Sequence, residues 1–427
     1  MNRTLYSGLW WLALPAVLGR LWWRGRKEPG YREHWGERLA LSGPAEGQAT
    51  IVLHAVSVGE TRAAEPVVDA LLAAYPDCRI LLTHMTPTGR ATGRQLFAHH
   101  GERVVQAYLP YDTASMTRRF LRRYRPRAVI LMETEVWPNL IHACARMGVP
   151  IVLANARLSE RSLKRGRKAG AVMGEAARAF TLVAAQTELD AGRIRSLGAP
   201  NVEVTGSVKF DVTPPAAALE KGDWLRSRIR AGGPERPVFL CASTREGEEA
   251  LILDAWRQSA DKPAGSLLLL VPRHPQRFDE VASLVTARGM SLARRSQLDL
   301  EHAIDGADVL LGDSMGEMFA YYAACDCAYI GGSLLPLGGQ NLIEACALGK
   351  PVLVGEHTFN FLDATIEAVD DGAALRVPDA GALVREATRL LRDHAARMEM
   401  GAKALAFARR HRGATLRTVE LLQRVIR

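Results

Sequence analysis

From residue 50 to residue 354 the chain alternates short apolar runs with stretches of helical periodicity. Runs at 50–56, 79–83, 103–109, 127–132, 150–154 and 180–185 form one series; runs at 237–242, 266–271, 307–311, 326–330 and 351–354 form a second. Most are nearly continuous in apolar residues, as in Ile51-Val52-Leu53 and Leu267-Leu268-Leu269-Leu270. That is the pattern of parallel strands covered on both faces. The helical stretches between them predict βαβ units and doubly wound α/β sheets. Between the series, 213–237 is rich in Pro, Gly and charge and places a boundary near residue 210. The expected division is 1–27, 28–210 and 211–427, the last ending in helices with Arg-rich faces over about 380–427. Two such Rossmann-like sheets in tandem predict a cleft, with the chemistry in loops at the carboxyl ends of the strands.

The N-terminus departs from this pattern. Leu5 to Gly19 carries no charge, Trp stands at 10, 11, 22 and 23, and Arg20, Arg24, Arg26 and Lys27 follow closely. Fifteen uncharged residues fall short of the roughly 20 a spanning helix needs, while Trp favours the headgroup boundary and the bases suit an anionic leaflet. No small-residue cleavage site ends the segment, so it reads as a retained anchor, interfacial or barely spanning, rather than a signal peptide; a buried N-terminal helix is the alternative. Lys plus Arg is 55 against 46 acids, a net charge of +9, and the excess is clustered. Six Arg and no acid occupy 118–127, and six bases with one acid occupy 157–168. Such patches attract anions or serve as solvated helix faces. Aromatic-interleaved stacking patches are missing, so nucleic acid is not the expected partner. The six Cys have no paired CxxC and read as reduced thiols.

The loops after the strands hold the candidate chemistry. His54-Ala-Val-Ser-Val-Gly-Glu60 follows the first strand and puts Glu60 in the first turn of a helix, as a general base or only as a helix cap. Met132-Glu133-Thr-Glu135-Val-Trp-Pro-Asn139 brings two acids to one loop, to hold a substrate hydroxyl, stabilise positive charge, or pair with the nearby Arg-rich helix. Lys209, in Gly206-Ser-Val-Lys-Phe-Asp211, is placed to meet an anion. In the second series, Ser243 and Thr244 read as N-caps with Arg245 beside them. Pro272-Arg273-His274 offers a phosphate or carboxylate grip. Ser314-Met315-Gly316-Glu317 forms a turn able to cradle phosphate. Asn341-Leu342-Ile343-Glu344 sets an acid where ribose hydroxyls can be bound. Four such loops in one series predict a nucleotide site. GxGxxG, GxxxxGK[ST], DxD and HExxH are all missing, so neither a dinucleotide fingerprint nor a metal set is predicted.

Taken together, HAVSVGE (54–60), METEVWPN (132–139), GSVKFD (206–211), STREGEE (243–249), PRHPQRF (272–278), GDSMGEM (312–318) and GGSLLPLGGQNLIEA (331–345) resemble the 3-deoxy-D-manno-octulosonic acid (Kdo) transferases of lipopolysaccharide assembly, along nearly the whole chain. Cys346 stands where related sequences often have Pro. The resemblance implies a GT-B fold and transfer of Kdo from CMP-Kdo to a lipid A precursor, lipid IVA, with inversion and release of CMP. It implies Glu60 as general base, Glu133 or Glu135 with Lys209 stabilising the transition state, and Arg273, Met315 to Glu317 and Asn341 to Glu344 at the CMP. No cofactor or metal is implied. The expected setting is the cytoplasmic face of a bacterial inner membrane, on anionic lipid. Two other classes remain open: a GT-B enzyme using a UDP-sugar, and a non-catalytic adaptor on the same scaffold.

Overall fold

The computed structural model describes residues 1–44, 50–168, 170–230, 236–298, 304 and 306–426. The chain forms two compact units: unit 1 is Met1–Asp211 with Arg412–Arg427, and unit 2 is Val212–His411.

Unit 1 is built on seven parallel strands, β1 (Thr50–His54), β2 (Arg79–His84), β3 (Val104–Tyr108), β4 (Ala128–Met132), β5 (Ile151–Ala156), β6 (Leu182–Ala185) and β7 (Val202–Val204), in the order β3-β2-β1-β4-β5-β6-β7. Side chains alternate between two cores. Ile51, Leu53, Ile80, Leu82, Ile130 and Met132 enter one, while Val52, Leu81, Val129 and Leu131 enter the other. Both faces are covered, which is why the runs are apolar at every position. From β1 the chain builds outward through β2 and β3, then returns to β4 at the other side of β1. The loops after β1 and β4 therefore flank the topological switch point.

Unit 2 repeats the plan with β8 (Val238–Thr244), β9 (Leu267–Pro272), β10 (Leu292–Arg294), β11 (Val309–Leu311), β12 (Cys327–Ile330), β13 (Val352–Val354) and β14 (Ala374–Arg376). Their order is β10-β11-β9-β8-β12-β13-β14, again parallel, with the switch between β8 and β12. Here the strand ends approach so closely that a Cβ on Gly331 would lie 2.4 Å from the Ser243 carbonyl oxygen.

Several expectations are corrected. β7, β10 and β14 have three residues each and were not predicted. All three are edge strands whose half-exposed positions carry Glu203, Arg294 and Arg376, so they lack an apolar run. In the Pro-, Gly- and charge-rich segment 213–237, helix Ala216–Arg230 occupies most of the length, with Leu225 and Ile229 buried; residues 231–235 lie outside the described residues. Residues 412–427 do not belong with 212–411. Helix Ala414–Gln423 returns to unit 1, where Ala414, Val419, Leu421 and Leu422 join the core that holds Val208. Asp211 accepts the Gly413 and Thr415 amides at the start of that helix, and Arg417 donates to the Thr205 carbonyl at 2.8 Å.

The N-terminal helix, Arg3–Arg24, is half docked on unit 1 rather than a separate segment. Leu14 and Leu21 are buried, Tyr6 donates to Asp112 at 2.9 Å, and Ser7 donates to Asn139 at 3.0 Å. Leu5, Leu9, Trp11, Leu12, Trp22 and Trp23 stay exposed. Among the described residues no helix is long and apolar enough to cross a membrane, so the barely spanning reading is set aside. All six cysteines are free and buried.

Candidate active site

In unit 1 the expected acids come together beyond β1 and β4. Glu60 lies in the first turn of helix Val58–Ala74, and its Oε2 accepts the Val56 amide, so it does cap the turn. Burial, followed by the Glu135 and then the Glu133 carboxylates, pushes Glu60 up to about 7, against the Val56 and Ser57 amides that favour the ionised form. Capping and proton exchange near neutrality thus reside in one side chain.

Glu133 is buried and has φ +58, a left-handed conformation that costs a β-carbon-bearing residue about 1–3 kcal/mol and recurs at functional sites. Its amide donates to the Ala154 carbonyl at 2.9 Å. Its Oε1 stands 2.6 Å from Lys209 Nζ and its Oε2 3.6 Å from Arg157 Nε. The charge partner of Glu133 is therefore Lys209, from the loop after β7, with Arg157 from the loop after β5; in sequence, the Arg-rich stretch at 118–127 was one candidate.

Glu135 accepts the Trp137 indole N–H at 2.8 Å, and burial, with the neighbouring Glu133, holds its carboxyl above the usual range. His54 Nε2 lies 4.0 Å from Glu135 Oε2. His54 Nδ1 is 3.1 Å from the Thr83 carbonyl and 2.9 Å from the Thr83 hydroxyl. Burial, then His84, lowers His54 to about 3, so the imidazole is neutral. His54, Arg157, Trp137 and Asn155 were not singled out from sequence. Each gains meaning only from neighbours on other strands, although His54 and Trp137 lie inside motifs that were noticed.

In unit 2, Ser243 has φ +55 and is no helix cap. The following helix, Glu248–Gln258, has Gly247 at its N-cap position, and Thr244 donates instead to Glu249 at 2.9 Å. The loops are held by buried Glu248, which accepts the Arg245 and Gly332 amides at 2.9 and 2.7 Å, the Leu334 amide at 3.1 Å and the Tyr329 hydroxyl at 2.6 Å. Arg245, Arg273 and Arg277 all act on His274, whose pKa is lowered first by burial and then by these cations. Arg277 is itself paired with Glu249 at 2.7 Å and Glu280 at 3.0 Å, so the corner beside Pro272 is marked by Arg245 and Arg273, the Arg273 amide donating to the Thr244 carbonyl at 2.9 Å.

Ser314 donates to Glu317 at 2.6 Å, and Lys221 and Arg295 flank that carboxylate at 2.7 and 3.1 Å. Burial opposes ionisation of Glu317, but these partners outweigh it and the net shift is downward. Glu317 is thus already paired within the fold. Met315 is exposed and Gly316 has φ +79. Asn341 accepts the Ile343 amide at 3.0 Å and donates to Glu344 at 3.3 Å. Leu342 and Ile343 are about 1% exposed, so as ligand contacts they can offer only backbone. Among the described residues one group has metal-ligand spacing, Asp69, His99 and His100 on unit 1; it shares no residue with the carboxylates above.

A family profile described as 3-deoxy-D-manno-octulosonic-acid transferase (kdotransferase) matches residues 33–212. The chain is 46% identical over 440 residues to the 3-deoxy-D-manno-octulosonic acid transferase of Bordetella pertussis, covering 99% of each. It is 37% identical over 431 residues to that of Haemophilus influenzae, covering 99% of this chain and 98% of the relative. In fold it is similar to a UDP-GlcNAc 2-epimerase from Neisseria meningitidis, with a TM-score of 0.59 and 17% identity over 88% of this chain and 100% of the other. It is also similar to MurG of Acinetobacter baumannii, with a TM-score of 0.53 and 15% identity over 88% and 99%. With its GT-B-like pair of parallel sheets and its acids at the first switch point, the chain belongs to the Kdo transferase family of glycosyltransferases.

Proposed function

We propose that the chain transfers Kdo from CMP-Kdo to lipid IVA, with Glu60 as general base. The observation that carries this reading is the gathering of Glu60, Glu133 and Glu135 beyond β1 and β4, with Lys209 2.6 Å from Glu133; burial and the two neighbouring carboxylates push Glu60 up to about 7. A base must be ionised yet willing to take a proton, and a pKa near the working pH serves both needs. The acceptor hydroxyl oxygen attacks the anomeric carbon as the bond to the CMP phosphate breaks. Glu60 takes the hydroxyl proton, and the electron pair leaves on CMP. A single displacement of this kind inverts the anomeric centre. The transition state is oxocarbenium-like, and Glu133 and Glu135 supply carboxylate oxygens to it while Lys209 and Arg157 hold Glu133 in ion pairs. No step calls for a metal. In unit 2, the corner of Arg245, Arg273 and His274 suits the phosphate of the donor and the Kdo carboxylate. The turn Ser314–Glu317 and the segment Asn341–Glu344 suit the rest of the nucleotide.

The setting we propose is the cytoplasmic face of a bacterial inner membrane, with the N-terminal helix lying in the interface. Leu5, Leu9 and Leu12 are exposed at helical spacing, and Arg20, Arg24, Arg26 and Lys27 follow. Basic helices Ala114–Tyr124 and Glu160–Lys168 suit anionic lipid and the phosphates of the acceptor.

The test is mass spectrometry of lipid IVA after incubation with detergent-solubilised protein and CMP-Kdo. Mass gains in whole Kdo units are expected, and their number counts the additions. Glu60→Ala should lower kcat by roughly 10²–10⁴-fold while CMP still raises the melting temperature. Near wild-type turnover in this variant removes Glu60 from the base role. Stabilisation by UDP but not CMP favours a different donor.

A further inference from the structure

Asn155 sits at the carboxyl end of β5, fully buried, with φ +52. Few residues other than Gly adopt that conformation, and Asn is one of them. The pairing of β5 with β6 slips at this point: Leu153 faces Val183, but Ala156 faces Ala185. The irregularity re-aims the Asn155 side chain. Its Oδ1 accepts the Val208 amide at 3.2 Å, its backbone carbonyl accepts Gln186 Nε2 at 2.9 Å, and its Nδ2 is buried without a hydrogen-bond partner. The residue after Val208 is Lys209, whose ammonium stands 2.6 Å from Glu133. Ala154, just before Asn155, and Arg157, two residues after it, hold Glu133 itself: the Glu133 amide donates to the Ala154 carbonyl, and the Arg157 amide donates back to the Glu133 carbonyl at 3.4 Å.

A single irregular turn of β5 therefore grips both ends of the Lys209–Glu133 pair. We infer that Asn155 is a positioning residue, whose side-chain carbonyl fixes the Val208 amide and so sets where the Lys209 ammonium meets Glu133. An apolar side chain would fill the same space without the unpartnered Nδ2, but it would leave the Val208 amide without its acceptor. The inference rests on the transferase reading above and adds to it a residue that touches no substrate.

Asn155→Gly keeps the left-handed backbone and deletes only the side chain. Val208→Pro deletes the same hydrogen bond from the other side; Val208 opens a 3₁₀ turn, where Pro is tolerated, and Ser207 before it is already extended at φ −94 and ψ 124. Both variants should lose roughly 10–100-fold in kcat, with KM for CMP-Kdo within about threefold of wild type because the donor loops lie in unit 2. On a Lys209→Met background, Asn155→Gly should cost less than about twofold, since a residue acting through Lys209 has nothing left to position. Hydrogen exchange of a peptide spanning 205–211 should quicken in folded Asn155→Gly. Turnover within twofold of wild type in Asn155→Gly, a full multiplicative loss on the Lys209→Met background, or unchanged exchange at Val208 would each overturn the inference. If the wild type transfers no Kdo at all, the functional reading falls, and the exchange measurement still decides whether Asn155 anchors Val208.

Discussion

Glu60 is held in a balance that shows at the scale of one proton. Its carboxyl titrates at about 7 in the folded chain, against an ordinary 4.5, chiefly through burial and then through Glu135 and Glu133. Between those values the folded chain binds more protons than the unfolded chain, so stability falls as pH rises through that window. Glu60→Gln retains an acceptor for the Val56 amide and carries no charge. It should melt higher than wild type at pH 8, with the gain vanishing near pH 4.5, as measured by calorimetry across the window. In the base role proposed for Glu60, the same ionisation that costs stability makes the carboxylate available, so kcat/KM should fall as pH drops below about 7. That Glu60 would occupy a first helical turn was legible in the sequence, because Ser57 and Gly59 mark the turn after an apolar run. That Glu133 would be left-handed, or that His54 and Asn155 would matter, was not. Their roles depend on Thr83, Glu135 and Val208, which only the assembled sheet brings near.

Helices and strands set those residues in place through caps supplied from elsewhere in the chain. Helix Pro138–Met147, which follows the loop of Glu133 and Glu135, has no cap of its own at Trp137. Asp112 serves instead, accepting the Asn139 and Leu140 amides at 3.0 and 2.9 Å and the Tyr6 hydroxyl at 2.9 Å. Asp112→Ala should destabilise unit 1 by about 1–3 kcal/mol, because it leaves buried donors unpaired; the drop is measurable by urea unfolding. Activity should fall further than the stability loss explains, since the loop of Glu133 and Glu135 leads into this helix. The central strands were readable because burial on both faces makes them apolar throughout. The edge strands β7, β10 and β14 were not, because an edge position tolerates charge. Helix Ala414–Gln423 was readable as a helix but not as part of unit 1. Its apolar face would fit any core, and the choice shows only once Asp211, Arg417 and the core around Val208 are assembled.

At the scale of the whole molecule, the proposed membrane contact draws on both the basic helices and the N-terminal helix. Because Leu14, Leu21 and Tyr6 pack or bond to unit 1, removing residues 1–27 would damage the fold as well as any membrane contact. Leu5→Glu, Leu9→Glu and Leu12→Glu change only exposed positions. The triple variant should keep its melting temperature within a few degrees yet float poorly with vesicles containing anionic lipid, and high salt should weaken what binding remains. Unchanged flotation would assign the association to the basic helices alone.

The return of helix Ala414–Gln423 to unit 1 also orders events on the ribosome. Unit 2 is one uninterrupted stretch, Val212–His411, and its whole sequence has been translated before the segment that completes unit 1 is made. Until residues 412–427 appear, Asp211 has no amides to cap and the core around Val208 stays open, two residues and one residue from Lys209. A chain released early by a premature stop would therefore carry the whole sequence of unit 2 and an unfinished unit 1. Translation itself thus withholds the closing piece of the first unit, and with it the support beneath Lys209, until the polypeptide has been read through to that helix.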